Sequence, residues 1–518
     1  MSQETVHEDP SRDAKKRIVV TTSSVSDEII SENSNREDGH EGIKAFEAME
    51  GETNLKYMNA EDGDEALKAL EELEGETILM TLEMEKKLLR KIDLNIMPML
   101  CLVYCLHFLD KVTLTYSSVM GLQKAIHLKG DSYQWLGSIF YIGYLIWEYP
   151  TSRLLQRLPL AKYSAFNITM WGLTLCCFAA VTDFKGAMII RFLLGAFEAT
   201  VSPAFALFTS QWYTKREQGT RTGIWFSFNG VAQVVGGFIS YGISVGTKKH
   251  GALLSAYKIV FLACGLNEKR MAIERIRKNQ QGIGNKHFRM YQLKEALLDP
   301  MAWAFALFAL VGSIPNGVTT FFSQMIVSFG FTPDQSLLLG TPAGLVQVTF
   351  MISAAWLGDK YRNRILFGTT GVLTSILGML LMICLPTSSK VGRLMGYYLF
   401  NGLPTGLTSV FSLIPTNIAG YTKKTTIVAM MFIGFAAGSI IGPQVFRPQD
   451  APNYRPAQIT ILVCHMFCLA DLAFIYWHYN CLNKVKREIR AAPGYRTLEN
   501  QEFLDLTDRE NHEFVYVI

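Results

Sequence analysis

YKIVFLACGLNEKRMAIERIRKNQQG, residues 257–282, begins as an apolar rod and turns abruptly into a charged loop. After Lys258, only Ile259 to Leu266 are free of charge. At about 1.5 Å per residue that is roughly 12 Å of helix, against a bilayer hydrocarbon core of about 30 Å. Whether the chain crosses a membrane here decides how many crossings precede the central loop. It therefore also decides on which side every later loop lies.

The rest of the chain sets the terms of that question. Of its 518 residues 49% are hydrophobic, yet the first ninety are polar. Past residue 92, apolar runs of about 20 residues alternate with short charged loops, the pattern of spanning helices. The polar start MSQETVHEDP carries no cleavable leader, so the first spanning helix is expected to act as the targeting signal. The nine cysteines lie in or at the ends of apolar runs, with no spacing for disulfides or zinc, and read as small hydrophobes. Residues 1–91 form an acidic tail, expected to be disordered, in which EDGHEGIKAFEAMEGET (37–53) recurs as EDGDEALKALEELEGET (61–77). TLEMEKKLLRKIDLNIMP then leads in as an amphipathic helix with Lys86, Lys87, Arg90 and Lys91 just before the membrane.

The predicted spans are 94–116, 132–155, 163–182, 187–210 and 223–245, then a stub at 252–266. After the loop 267–298 come 301–327, 336–357, 363–385, 392–415, 426–446 and 457–480. One alternating set of loops holds Arg153, Arg157 and Lys162, Lys215, Arg216 and Arg221, Lys360, Arg362 and Arg364, and Lys423 and Lys424. The other set is poorer in cations, so the richer set, both termini and the central loop belong in the cytoplasm. Five crossings before the central loop would put its Lys269, Arg270, Arg275, Arg277 and Lys278 outside. Charge placement thus demands a sixth crossing where the sequence supplies half of one. The domains expected are the tail 1–91, a first membrane half 92–266 with its sixth helix incomplete, the loop 267–298, a second half 299–482 and a tail 483–518.

AWLGDKYRNR (355–364) sets an acidic residue at a helix end before basic residues, and here the chain resembles the major facilitator superfamily. The counterpart in the first half, SRLLQRLPLAKY (152–163), has Gln156 in place of the acid. Closer resemblance is to the fungal allantoate permease family of anion:cation symporters. It rests on RKIDLNIMPMLCLVYCLHFLDK (90–111), WLGSIFYIGYLIWEYPTSRLLQRLPLAKY (135–163), RFLLGAFEA (191–199), WYTKREQGTRTGIWFSFNGVAQVVGG (212–237), ERIRKNQQGIGNKHF (274–288) and GPQVFRPQDAPNY (442–454). The resemblance implies an all-α membrane protein of two six-helix halves and proton-driven uptake of ureides, vitamins such as nicotinate or pantothenate, or small peptides. It also implies that about two dozen residues of the sixth helix are absent between Leu266 and Asn267.

Charges at membrane depth need a reason to be there. Asp110 and Lys111 read either as proton acceptor plus anion site or as an interfacial pair. Arg191 and Glu198, seven apart, share a helix face. Arg191 suits a carboxylate substrate and Glu198 suits proton coupling; the bland reading is a salt bridge that orders the bundle. Glu148 is expected to pair with Arg153 or a loop cation. Asn229, Gln233, Asn316, Gln324, Gln347 and Asn401 are uncharged polar groups that line a cavity or bind helices together. Gln156, Arg157, Lys162, Asp359, Lys360, Arg362 and Arg364 belong to the loop signatures, which would gate by interhelical pairing. SIPNG (313–317) and NGLPTG (401–406) break the seventh and tenth helices at matching depth. The Asn167 glycosylation pattern falls inside the third helix.

The expected function is a proton-coupled secondary transporter for a small organic anion, working by alternating access. It would be a plasma-membrane monomer with no metal, no cofactor beyond the proton gradient and no nucleic-acid partner. The chain carries no nucleotide-binding loop or hydrolase motif, so neither an ATP-driven pump nor an enzyme is expected. The rivals are a proton-linked efflux carrier, which the lack of a Pro-Gly element in 230–242 weakly disfavours, and a non-transporting sensor or inactive paralogue.

Overall fold

The computed structural model describes residues 82–158, 160–214, 216–250, 289–451, 453–492 and 507–518, with Ser255, Lys258 and Ile259 between. The duplicated acidic segment and the stub at 252–266 lie outside the described residues, apart from Ser255, Lys258 and Ile259. The described secondary structure is helical. In the first half come α1 (Leu82–Ser117), α2 (Ser132–Arg157), α3 (Leu160–Phe178), α4 (Phe184–Glu198), α5 (Val201–Trp212) and α6 (Gln218–His250). A short α7 (Met290–Leu298) leads into α8 (Pro300–Ser313), α9 (Gly317–Ser328), α10 (Pro333–Leu339), α11 (Thr341–Tyr361) and α12 (Arg364–Cys384). The series ends with α13 (Lys390–Phe400), α14 (Pro404–Asn417), α15 (Tyr421–Val445) and α16 (Arg455–Ala491). Large apolar side chains such as Ile189, Phe238, Trp303, Leu366, Val463 and Trp477 face outward. In water such a surface would be costly; facing lipid it is the stable arrangement.

The broken rods have identifiable causes. Pro315 and the 3-10 turn Ile314–Asn316 separate α8 from α9, and Asn401–Leu403 separates α13 from α14 ahead of Pro404. A third break, between α4 and α5 at Ala199–Thr200, was not expected from the sequence. Pro203 explains it, because its ring excludes the backbone hydrogen bond to the Ala199 carbonyl. Conversely, the lead-in and first span form one continuous 36-residue helix despite Pro98.

Glycines set the closest crossings. A Cβ at Gly143 would collide with the Phe192 carbonyl of α4, and one at Gly195 with the Phe140 carbonyl of α2. Gly230 on α6 and Gly344 on α11 meet in the same reciprocal way, joining the two halves. Such small-residue contacts let backbones approach where lipid offers no hydrophobic drive.

The tail 483–518 is largely built into the fold. α16 runs on to Ala491, and 507–518 returns to cover the end of the second half. Asn417 and Asn483 exchange hydrogen bonds with the backbone of Val517 and Tyr516, and Phe514 and Tyr516 are buried. Lys423 is fully buried and gathers Glu295, Asp299 and Asp508 at 2.9, 3.0 and 2.7 Å. Burial pushes the Asp299 carboxyl up, but Lys423 and Arg509 outweigh it and hold the group below its ordinary value.

Candidate functional site

A central cavity of about 110 Å³ lies between the halves. That is roughly ten times the 10–15 Å³ one water requires, so it admits a small solute. The first half lines it with Tyr104, His107, Lys111, Tyr141, Tyr144, Ser202, Asn229 and Gln233. The second half adds Asn316, Phe322, Gln347, Tyr397, Asn401, Phe411, Phe432 and Phe435. The polar groups sit on an aromatic wall, the usual composition of a small-molecule site.

The charged residues sort into two clusters, and Arg191 and Glu198 fall in different ones. Arg191 faces Asp110 at 3.6 Å, stacks 5.1 Å from the Phe140 ring and donates to the Leu136 carbonyl at 3.4 Å. Asp110 also accepts from Trp171 Nε1 at 3.0 Å. Glu198 binds His107 Nε2 at 2.5 Å and Lys111 Nζ at 3.0 Å. All of these groups are buried except Lys111, which is 12% exposed. Lys111 and His107 are on the cavity wall, whereas Glu198 stands behind them. Phe140, Tyr141 and Phe435 surround the Lys111 ammonium at 5.7–5.8 Å.

Several expected roles change with this placement. Arg191 does not reach the cavity, because its guanidinium is engaged by Asp110. Gln324 does not line it either; it donates to Ser118 at 3.4 Å across the halves. Asp110 and Lys111 are not an interfacial pair, since each binds a partner on α4. Glu148 pairs neither with Arg153 nor with any described cation: it is buried and both its oxygens are unpartnered. The sequence reading missed His107. It lies four residues before Lys111, one turn away on the same face, and that spacing was the available signal. It also missed Tyr397, whose hydroxyl accepts from Gln233 Nε2 at 3.0 Å.

Contacts between the halves bracket the cavity. At one end Asp359 accepts from the Thr220 amide at 2.5 Å and the Thr220 hydroxyl at 2.6 Å, so a carboxylate caps the start of α6. Arg364 holds Asp359 at 2.7 Å and reaches the Ser412 carbonyl and Thr416 at 3.1 and 2.7 Å. Thr416 in turn donates to Gln218 at 3.0 Å, and Trp225 and Phe226 pack on Phe411. Lys360 lies exposed over Trp356, 4.8 Å from the ring, and Arg362 turns outward with φ 54°. Of the second-half signature, then, Asp359 and Arg364 make the contact between halves and the other two cations do not. Lys162 is exposed, and the side chains of Gln156 and Arg157 lie outside the described residues. At the other end Thr115 donates to the Thr319 and Thr320 carbonyls, Gln134 to that of Phe446, and Lys248 pairs with Asp334 at 2.7 Å.

Known proteins resemble this chain along most of its length. The profile described as Major Facilitator Superfamily matches residues 100–443. An uncharacterized transporter of Schizosaccharomyces pombe is 35% identical over 84% of the chain and 90% of its own length. The allantoate permease of Saccharomyces cerevisiae is 32% identical over 85% of the chain and 87% of its own, and the thiamine pathway transporter of that yeast 33% over 84% and 87%. Among solved structures, a bacterial homologue of the lysosomal transporter Spinster, inward-facing and occupied, aligns with TM-score 0.55 at 14% identity, covering 74% of this chain and 96% of its own. The Escherichia coli fucose:proton symporter aligns with TM-score 0.54 at 16% identity, covering 73% and 98%.

Proposed function

The chain belongs to the major facilitator superfamily, beside the fungal allantoate permease, and we propose that this secondary transporter takes up a small organic anion together with protons. One observation carries the reading: Lys111 faces the cavity while Glu198 holds it from behind at 3.0 Å. With the imidazole neutral, the carboxylates of Asp110 and Glu198 balance Arg191 and Lys111. An anion arriving at Lys111 must compete with Glu198. A proton on Glu198 removes the competitor and leaves the wall positive. Proton and anion therefore favour each other's binding, and the coupling is reciprocal. His107 at 2.5 Å gives the proton a second seat beside the first.

Alternating access follows from the two bracketing contacts, which cannot both open without separating the halves. We assign the Asp359 end to the cytoplasm, by the excess of Lys and Arg in its loops, and the membrane to the cell surface. The Asp359–Thr220 contact then closes the inner side, and Lys248–Asp334 the outer.

The test is uptake of radiolabelled allantoate, nicotinate and pantothenate by cells expressing the chain. At least one is expected to accumulate when the medium is acid and to stop when a protonophore collapses the gradient. Accumulation indifferent to the gradient for every anion taken up would refute proton coupling, and outward flux driven by protons would favour an exporter.

A further inference from the structure

Glu148 has no role in the account above, yet it is fully buried on α2 and neither carboxylate oxygen has a partner. A carboxylate kept only for packing would be satisfied, because a buried polar group without a partner is destabilising, the more so if charged. Hydroxyl-bearing residues flank it along the helix, and the Tyr144 hydroxyl is, like the carboxylate, without a partner. Tyr144, Glu148 and Thr151 are spaced by four and three residues, so they share one face of α2, about 6 Å and 4.5 Å apart along the axis. Tyr144 lines the cavity. Thr151 Oγ1 is 2.7 Å from Thr200 Oγ1 and 2.8 Å from the Tyr163 hydroxyl on α3. Thr200 lies two residues beyond Glu198, at the break that Pro203 imposes between α4 and α5. Tyr163 lies in the first turn of α3, next to the exposed Lys162.

The surroundings suit a proton rather than a metal ion or an anion. The titratable groups facing this stretch are Tyr144 on α2, Tyr104 on α1, Glu198 on α4 and, through Thr151, Tyr163 on α3; α15 presents Phe435 to Tyr144. No described cation pairs with Glu148, so it is not a salt bridge, and one carboxylate with two hydroxyls is too few ligands for a cation.

We propose that Glu148 is a second proton-carrying site: it takes the proton from the Glu198 cluster and passes it, through the Thr151 and Tyr163 hydroxyls, to the basic end of the bundle. Each transfer moves one proton between oxygens, with no redox partner. The inference rests on the proton coupling argued above. It adds that, beyond the cavity-lining Tyr144, the proton leaves by a route of its own along α2.

The experiment uses the full chain in proteoliposomes, with radiolabelled allantoate, nicotinate and pantothenate each as probe. Glu148→Gln is expected to lower accumulation driven by a pH gradient by about a hundredfold while leaving exchange of internal for external anion near the wild-type rate. Glu148→Asp is expected to restore much of the accumulation. Dicyclohexylcarbodiimide, which modifies protonated carboxyls in apolar surroundings, is expected to label Glu148 of the wild-type protein without any substrate. Parallel loss of exchange and accumulation in Glu148→Gln would overturn the proposal, as would unimpaired accumulation or a Glu148 that the carbodiimide leaves unmodified at acid pH. A wild-type protein whose accumulation ignores the gradient would instead refute the coupling itself, and the second site with it.

Discussion

The two walls of the cavity differ in kind. The first half brings Lys111 and His107 to the surface, with Glu198, Asp110 and Arg191 packed behind them. The second half brings amides, hydroxyls and rings (Asn316, Gln347, Tyr397, Asn401, Phe432) and, among the described lining residues, no charge. A charge in the bilayer is costly unless paired, so clustering charges in one half lets each meet its partner within a rigid unit. The other half can then move across the substrate without breaking an ion pair at the cavity wall; the pair that such motion opens is Lys248–Asp334, at the rim. On the proposed mechanism the difference is a division of labour: the first half couples the proton to the anion, and the second recognises shape.

Removing Arg191 attacks that division most severely. Arg191→Gln leaves Asp110 buried without its cation, a loss of about 3–5 kcal/mol in buried pairs. The melting temperature of the detergent-solubilised protein should fall by several degrees, and adding Asp110→Asn should recover most of the loss. If the double variant were no more stable than the single, Asp110 and Arg191 would not act as a pair. Lys111→Ala comes next. It removes a charge-assisted contact worth about 1.5–3 kcal/mol and should raise the KM for the anion roughly 10- to 150-fold, with an uncharged analogue much less affected. Equal losses for both would make Lys111 a packing residue. The smallest effect belongs to the other wall. Asn401→Ala should cost about 0.5–1.5 kcal/mol, changing KM and the choice among anions while the pH dependence of uptake stays as it was. A shifted pH dependence in Asn401→Ala would break the comparison.

What could be read in the sequence divides along the same physical line. SIPNG and NGLPTG mark breaks because proline and glycine act locally, and α8–α9 and α13–α14 break there. Pro203 carries the same signal for the α4–α5 break, but 187–210 has the length and mainly apolar character of a single span. The loop AWLGDKYRNR names Asp359 and Arg364 from spacing, yet only the fold shows that Asp359 caps α6 of the other half. Arg191 and Glu198 share a face, but which one meets Asp110 and which Lys111 depends on the rotation of α1 against α4. The crossings at Gly143 and Gly195 seat α4 against α2, and Trp171 of α3 holds Asp110 of α1, contacts far apart in sequence. His107 was legible only as a neighbour of Lys111. The packed return of 507–518 was not legible at all, because its contacts are to Asn417, Lys423, Asn483 and Lys486, none of them local.

The central claim is that Glu198 and the transported anion compete for Lys111 and that a proton settles the competition. Its most direct test is calorimetric binding of the transported anion to wild-type and Glu198→Gln protein across a range of pH. Wild-type affinity should rise as the pH falls, by at most about tenfold per unit, with one proton taken up per anion bound. Glu198→Gln should bind tightly at every pH with no proton uptake; a variant that kept the wild-type slope would show that the proton resides elsewhere.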